Sequence, residues 1–189
     1  MKLINSVTQA VKDTRTNIQL EVLLAFIQVE SGGYGFDKKT GKLLIQFEPA
    51  WFKKKTTFAP SGLWQVNKVD VQSKEWSAFN NAFSINANAA MEATSIGLPQ
   101  ILGLHWQRLR YASVGEMWDD FKQSETNQIK SLIRYIETDT QLFNAILQHD
   151  WHRIATIYNG NNYMGIAAKY GRTPYNIAMQ DAYNHLVNL

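Results

Sequence analysis

No cysteine occurs among the 189 residues. A disulfide framework, a structural zinc site of the cysteine type and a thiol nucleophile are therefore excluded, while the redox compartment stays open. Proline is scarce, four residues in all, and no Pro/Ser linker, repeat or low-complexity tract divides the chain. The most apolar run, Val22 to Val29, is far shorter than the roughly 20 residues a membrane span requires. The opening MKLINSVTQAVKDTRTN has no long apolar stretch ahead of its polar residues, so no signal peptide is expected. Neither a glycine-rich phosphate loop nor a serine-nucleophile motif is present.

Apolar residues are plentiful. Hydrophobic residues make up 45% and aromatics 12% of the chain, which excludes global disorder because such a chain buries enough apolar surface to offset its ordering entropy. The length predicts one domain over residues 1–189. Nineteen Lys and Arg against sixteen Asp and Glu give a net charge of +3 and a pI near 9.0. That balance suits an anionic partner such as nucleic acid, a membrane surface or a bacterial wall, and suits ordinary solubility equally well. No Lys/Arg-rich helix supports a nucleic-acid partner, so none is expected, and neither is membrane insertion.

The periodicity predicts helices over residues 3–12 and 18–30. The second carries Ile18, Val22, Ala25, Phe26 and Val29 on one stripe, with Leu20, Leu23, Leu24 and Ile27 filling most of the remainder. A helix apolar nearly all round is a buried central helix, and Gly32-Gly33 ends it. Leu43 to Phe47 follows the turn Lys38–Gly41 and reads as a small hairpin. Pro49 opens a helical turn containing Trp51 and Phe52. Residues 56–83 read as a long loop rich in aromatics. Helices are expected near 86–94, 103–109, 113–122, 125–138, 140–148, 151–158, 162–170 and 174–187, with Ser113 and Ser124 as N-caps. The fold class is mainly α with a small β element.

Glu30 is the most informative position. It ends the buried helix on the face of Leu23, Phe26 and Ile27, because residues three, four and seven apart share a helix face. Apolar neighbours and the negative end of the helix dipole both disfavour its charged form. Both raise its pKa, as a general acid at neutral pH requires; the alternative is a glutamate that snorkels to solvent beside the glycines. Asp37 reads as a turn residue. His149 and His152 flank Asp150, but no third ligand stands out, so no metal site is expected; Asp150 reads as a helix N-cap. Trp64 and Trp76, in the long loop, are the tryptophans expected to contact a ligand.

The residues from Val29 to Gly33 resemble the Glu-Ser motif that ends the catalytic helix in goose-type lysozymes and lytic transglycosylases. Gly97-Leu98-Pro99-Gln100-Ile101 is similar to their Gly-Leu-Met-Gln-Ile segment, and Tyr158-Asn159-Gly160 to their Ala-Tyr-Asn-Ala-Gly segment. With Ile45-Gln46-Phe47-Glu48 added, the chain from about residue 18 to residue 187 resembles the N-acetylmuramidase family of phage endolysins and bacterial genomes. Two positions depart from that pattern: Ile96 stands where many relatives have Trp, and Pro99 where they often have Phe or Met.

The resemblance implies an α+β lysozyme-like fold, a helical bundle around a buried catalytic helix. It implies a monomeric, cofactor-free glycosidase that cuts the β-1,4 bond between N-acetylmuramic acid and N-acetylglucosamine in peptidoglycan, with Glu30 as general acid. Glu48 then activates water or holds the constellation in place; the residues alone also allow it to pair with the lysines around it. Gln100, Tyr158 and Asn159 are implied to face the cleft and bind N-acetylated sugars, and Ser31 either orients Glu30 or caps the following turn. A lytic transglycosylase yielding anhydro-muramoyl ends and a non-catalytic wall-binding module are the competing readings. The protein is expected to be made in the cytoplasm and to act on the wall after release or export.

Overall fold

The computed structural model describes residues 2–57, 60–64 and 71–188. In chain order its elements begin with helices α1 (Lys2–Thr14) and α2 (Leu20–Ser31), strand β1 (Ile45–Phe47) and helix α3 (Pro49–Lys55). A 3-10 turn (Gly62–Trp64), helices α4 (Gln72–Ile85) and α5 (Ala87–Glu92), and strands β2 (Thr94–Ile96) and β3 (Ile101–Leu102) follow. After a second 3-10 turn (Gly103–His105) come α6 (Val114–Gln123), α7 (Glu125–Glu137), α8 (Thr140–Leu147), α9 (Trp151–Asn159), α10 (Tyr163–Tyr170) and α11 (Tyr175–Val187). The fold is mainly α with one small antiparallel sheet. No helix among the described residues is long and apolar enough to cross a membrane.

The chain divides into two compact units, one of residues 1–33 and 129–189 and one of residues 34–128. The first is helical. Its centre is α2, whose residues Val22 to Ile27 are all buried and which packs against α1 and α11. The helix stops where glycine permits: Gly32 adopts φ +62°, and the Gly32 and Gly33 amides donate to the Gln28 and Ile27 carbonyls at 3.0 and 3.3 Å. This left-handed cap satisfies carbonyls that the helix end would otherwise leave unpaired. Asp150 caps α9 by accepting from the Arg153 amide at 3.0 Å, as its sequence position predicts.

The second unit holds the sheet, in the order β1-β2-β3. Ile45 pairs with Ile96, Phe47 with Thr94, and Ile96 with Ile101. The small hairpin expected around the turn Lys38–Gly41 is limited to the antiparallel bridge of Phe36 with Leu43, while residues 45–47 pair with β2. Across that turn the Leu44 and Asp37 amides donate to the Gly35 and Lys42 carbonyls at 3.0 and 2.8 Å, and β1 finds its ladder partner about fifty residues later. The turn rests on Asp37, whose Oδ1 accepts from the amides of Lys39 and Thr40 and from the Thr40 hydroxyl. Asp37 is thus the turn residue its sequence position implied.

The other edge of β1 meets a helix. Gln72 accepts from the Ile45 amide at 3.0 Å and donates to the Ile45 carbonyl at 2.8 Å. Glu75 accepts from the Phe47 amide at 2.8 Å, and the Trp76 indole donates to the Leu43 carbonyl at 3.2 Å. These side chains all lie on α4 or at its start, inside the stretch that reads from sequence as a loop over 56–83. Residues 58–59 and 65–70 of that stretch lie outside the described residues. The helix is built on Ala78, Phe79 and Ala82, all buried, and Phe79 stacks on Trp118 at 4.7 Å.

Candidate active site

Glu30 is the penultimate residue of α2, fixed there by the glycine cap. Protein crowds its carboxyl while the side chain keeps some contact with solvent. Desolvation raises its pKa from 4.5 to about 7, against the opposing pull of a hydrogen bond from Tyr175. That bond is short: the Tyr175 hydroxyl donates to Glu30 Oε1 at 2.5 Å. Tyr175 opens α11 directly after Pro174, whose ring fixes the backbone at the helix start. The phenol is buried, and its own pKa lies well above 10 because burial and the nearby Glu30 both oppose its ionisation. It therefore remains a donor throughout the pH range in which Glu30 titrates.

An aromatic wall stands beside this pair. Phe26, one helical turn before Glu30 and fully buried, meets the Tyr158 ring edge-on at 4.9 Å. Tyr158 lies between Tyr135 at 5.7 Å and Tyr175 at 6.2 Å. Of the residues singled out in sequence, the first unit thus brings Glu30 and Tyr158 into one cluster. Asn159 ends α9 and is exposed, next to Gly160 at φ +93°. The Ser31 hydroxyl donates to the Ile27 carbonyl at 3.1 Å, so it serves the last helical turn rather than the Glu30 carboxyl.

Gln100 and Glu48 belong to the second unit. Gln100 sits in the turn between β2 and β3 at φ +48°, and its amide donates to the Gly97 carbonyl at 2.8 Å. Its Oε1 is enclosed and has no hydrogen-bond partner among the described residues. The turn hangs on Gln128, fully buried, which accepts from the Leu98 amide at 2.8 Å and donates to the Phe121 carbonyl at 2.8 Å. Gly97 is required twice over: its φ is +70°, and a Cβ would come within 2.7 Å of Gln128 Oε1. Glu48 precedes α3, half-buried, with its amide donating to the Ala93 carbonyl at 2.8 Å.

The tryptophans part company. Trp64 is buried at 6% exposure, packed edge-on against Phe47 at 5.6 Å and Phe52 at 5.3 Å. It packs as a core residue among the described residues. Trp76 stands on a helix instead of a loop and is half-buried. His152 shares a 2.7 Å hydrogen bond with the Tyr163 hydroxyl, and His149 stacks on Trp151 at 5.4 Å. No cluster of three metal-ligating side chains exists among the described residues.

Sequence reasoning missed Tyr175, Gln128 and Glu75. Tyr175 lies 145 residues from its partner, and no local pattern announces the pairing. The pair is chemically specific nonetheless. A carboxylic acid with a pKa near neutrality, one oxygen anchored by a neutral phenol, has its other oxygen available to deliver a proton.

Residues 19–187 match the family model for N-acetylmuramidase, a single match that runs through both units. The crystal structure of a Burkholderia AP3 phage endolysin is similar in fold, with a TM-score of 0.76 at 23% identity, covering 98% of this chain and 70% of that one. No curated protein matches the chain.

Proposed function

The chain belongs to the N-acetylmuramidase family and is a peptidoglycan-degrading glycoside hydrolase, and from that premise we propose that Glu30 is its general acid. The observation that carries the assignment is the Glu30–Tyr175 pair, with the carboxyl's pKa near 7. In the proposed reaction the Glu30 proton passes to the glycosidic oxygen as that oxygen's bond to C1 of N-acetylmuramic acid breaks. Water attacks C1 and gives up a proton to a base, leaving a reducing muramic end and a free 4-hydroxyl on N-acetylglucosamine. Glu48 is assigned as that base on the strength of the family resemblance. Tyr175 holds Oε1, so the proton rides on Oε2 and faces one direction, and loss of freedom in the acid is settled before substrate arrives.

Gln100, Tyr158 and Asn159 are assigned to sugar binding. The unpartnered Gln100 Oε1 supports this, since a buried acceptor without a donor gains by meeting the N–H of an acetamido group. We read residues 1–189 as one catalytic domain acting as a monomer on the cell wall, without membrane insertion, and reaching the wall from the cytoplasm by release or export. Mass spectrometry of digested peptidoglycan tests the reaction. Reducing muramic ends are expected; 1,6-anhydro ends would replace hydrolysis by attack of the muramoyl 6-hydroxyl. The same digest with Glu30→Gln is expected to show products lowered by about 10²–10⁴-fold.

A further inference from the structure

In the unit of residues 34–128, a cavity of about 530 Å³ opens between the turn at residues 37–42 and the outward face of α4. Its size falls within the roughly 300–1,000 Å³ of small-ligand sites, and it contains none of the groups assigned to the chemistry. One wall is the Trp76 indole, and Lys39, Lys42, Asp37 and Asn80 are among the other lining residues. The indole is rigidly held. Its N–H is bound to the Leu43 carbonyl at 3.2 Å, and its ring packs edge-on against Phe79 at 5.4 Å and Trp118 at 6.3 Å. The Lys42 ammonium stands 5.3 Å from the ring centroid. Neither Lys39 nor Lys42 forms an ion pair among the described residues.

The charge is mixed in a useful way. One Asp37 oxygen is spent on the turn, bound by two amides and a hydroxyl, and those bonds hold its pKa below the ordinary carboxylate value. The cavity therefore offers two ammonium groups, one permanent carboxylate and a flat aromatic face whose position needs no adjustment. A ligand that is anionic throughout, such as a polyol phosphate, meets Asp37 unfavourably. One that carries carboxylates together with an amine, on a chain with apolar stretches, satisfies all three features.

We propose that this cavity is an accessory site for the peptide stem of peptidoglycan. Stem carboxylates pair with Lys39 and Lys42, a stem amine faces Asp37, and the apolar side chains of the stem lie on Trp76. The proposal rests on the muramidase reading for the identity of the polymer, and it adds that the enzyme binds the peptide as well as the glycan. Because the indole is already locked in place, binding loses little freedom on the protein's side.

The test uses the whole wild-type protein and a soluble disaccharide-peptide, N-acetylglucosaminyl-N-acetylmuramyl-pentapeptide, which lacks the bond a muramidase cuts. In a nitrogen–proton NMR titration the Trp76 indole N–H is expected to shift saturably. The Lys39→Gln/Lys42→Gln double variant, whose substitutions lie at exposed positions, is expected to bind about five- to tenfold more weakly, as loss of two exposed ion pairs implies. Removing the peptide from the disaccharide is expected to abolish the shift. An unmoved Trp76 signal, equal binding by the double variant, equal binding of the peptide-free sugar, or stronger binding of glycerol phosphate oligomers would each overturn the proposal. Since no turnover is involved, a failure here leaves the Glu30 assignment untouched. An active Glu30→Gln variant would remove that assignment without affecting the titration.

Discussion

Glu30 in the helical unit and Glu75 in the sheet-bearing unit are both glutamates whose pKa burial has raised, yet they are built for opposite ends. Glu75 sits in the first turn of its helix at 2% exposure, one oxygen bound to the Phe47 amide and the other enclosed without a partner among the described residues. Glu30 sits at a helix end, retains contact with solvent, and is held by a hydroxyl that engages one oxygen only. A raised pKa therefore reports desolvation in both places. Access distinguishes the proposed acid from the structural member, since each glutamate has one oxygen bound and one not.

The sharpest way to break this comparison is to make both carboxyls into amides. Glu30→Gln is expected to lower turnover of a soluble muropeptide polymer by about 10²–10⁴-fold, the usual cost of losing a general acid. Glu75→Gln is expected to stay within a few-fold of wild type, because the amide oxygen still accepts from Phe47. Equal losses in the two variants would erase the distinction.

Truncation reverses the ranking. Glu75→Ala leaves the buried Phe47 amide unpaired and a void beneath the strand, and is expected to cost about 2–4 kcal/mol in urea unfolding. Glu30→Gln is expected to unfold near the wild-type midpoint at pH 5.

At higher pH the two Glu30 forms diverge. A carboxyl whose pKa rises from 4.5 to about 7 on folding contributes fully when protonated in both states, below about pH 4.5. That contribution is lost as pH climbs toward 7, because the unfolded chain ionises first. Glu30→Gln removes the loss, so at pH 8 it is expected to be more stable than wild type, on the order of 1–2 kcal/mol after discounting for solvent contact. Calorimetry at pH 5 and pH 8 measures the difference directly.

The smallest effect belongs to Tyr175. Its hydrogen bond favours the charged form of Glu30, so Tyr175→Phe is expected to move the alkaline limb of kcat upward by a few tenths to about one pH unit. A downward shift would mean that the phenol stabilises the protonated acid instead.

The helices were legible because their apolar spacing is strong: α2 runs Leu20–Ser31 against an expectation of 18–30. Glu30 was legible for the same reason, since a carboxylate on an apolar stripe contradicts its surroundings. The helix α4 was not. Ser73, Ser77, Asn80, Asn81 and Ser84 give it low intrinsic propensity, and its apolar residues declare themselves only once Trp118 is there to pack on. Strands of two and three residues carry no readable period, so the partner of β1 was out of reach. Trp64 shows the remaining difficulty: its neighbours in sequence look like loop, while its neighbours in space are Phe47 and Phe52.

The pairing of α4 side chains with β1 bears on how these molecules behave in company. A strand's outer margin presents amides and carbonyls that another copy can adopt as a template, which is how sheets grow from one molecule into the next. Here Gln72 takes up both backbone groups of Ile45, and Glu75 takes up the Phe47 amide. A second chain arriving at that margin finds three of those groups already engaged, which leaves crowded copies a poor foothold there from which to polymerise.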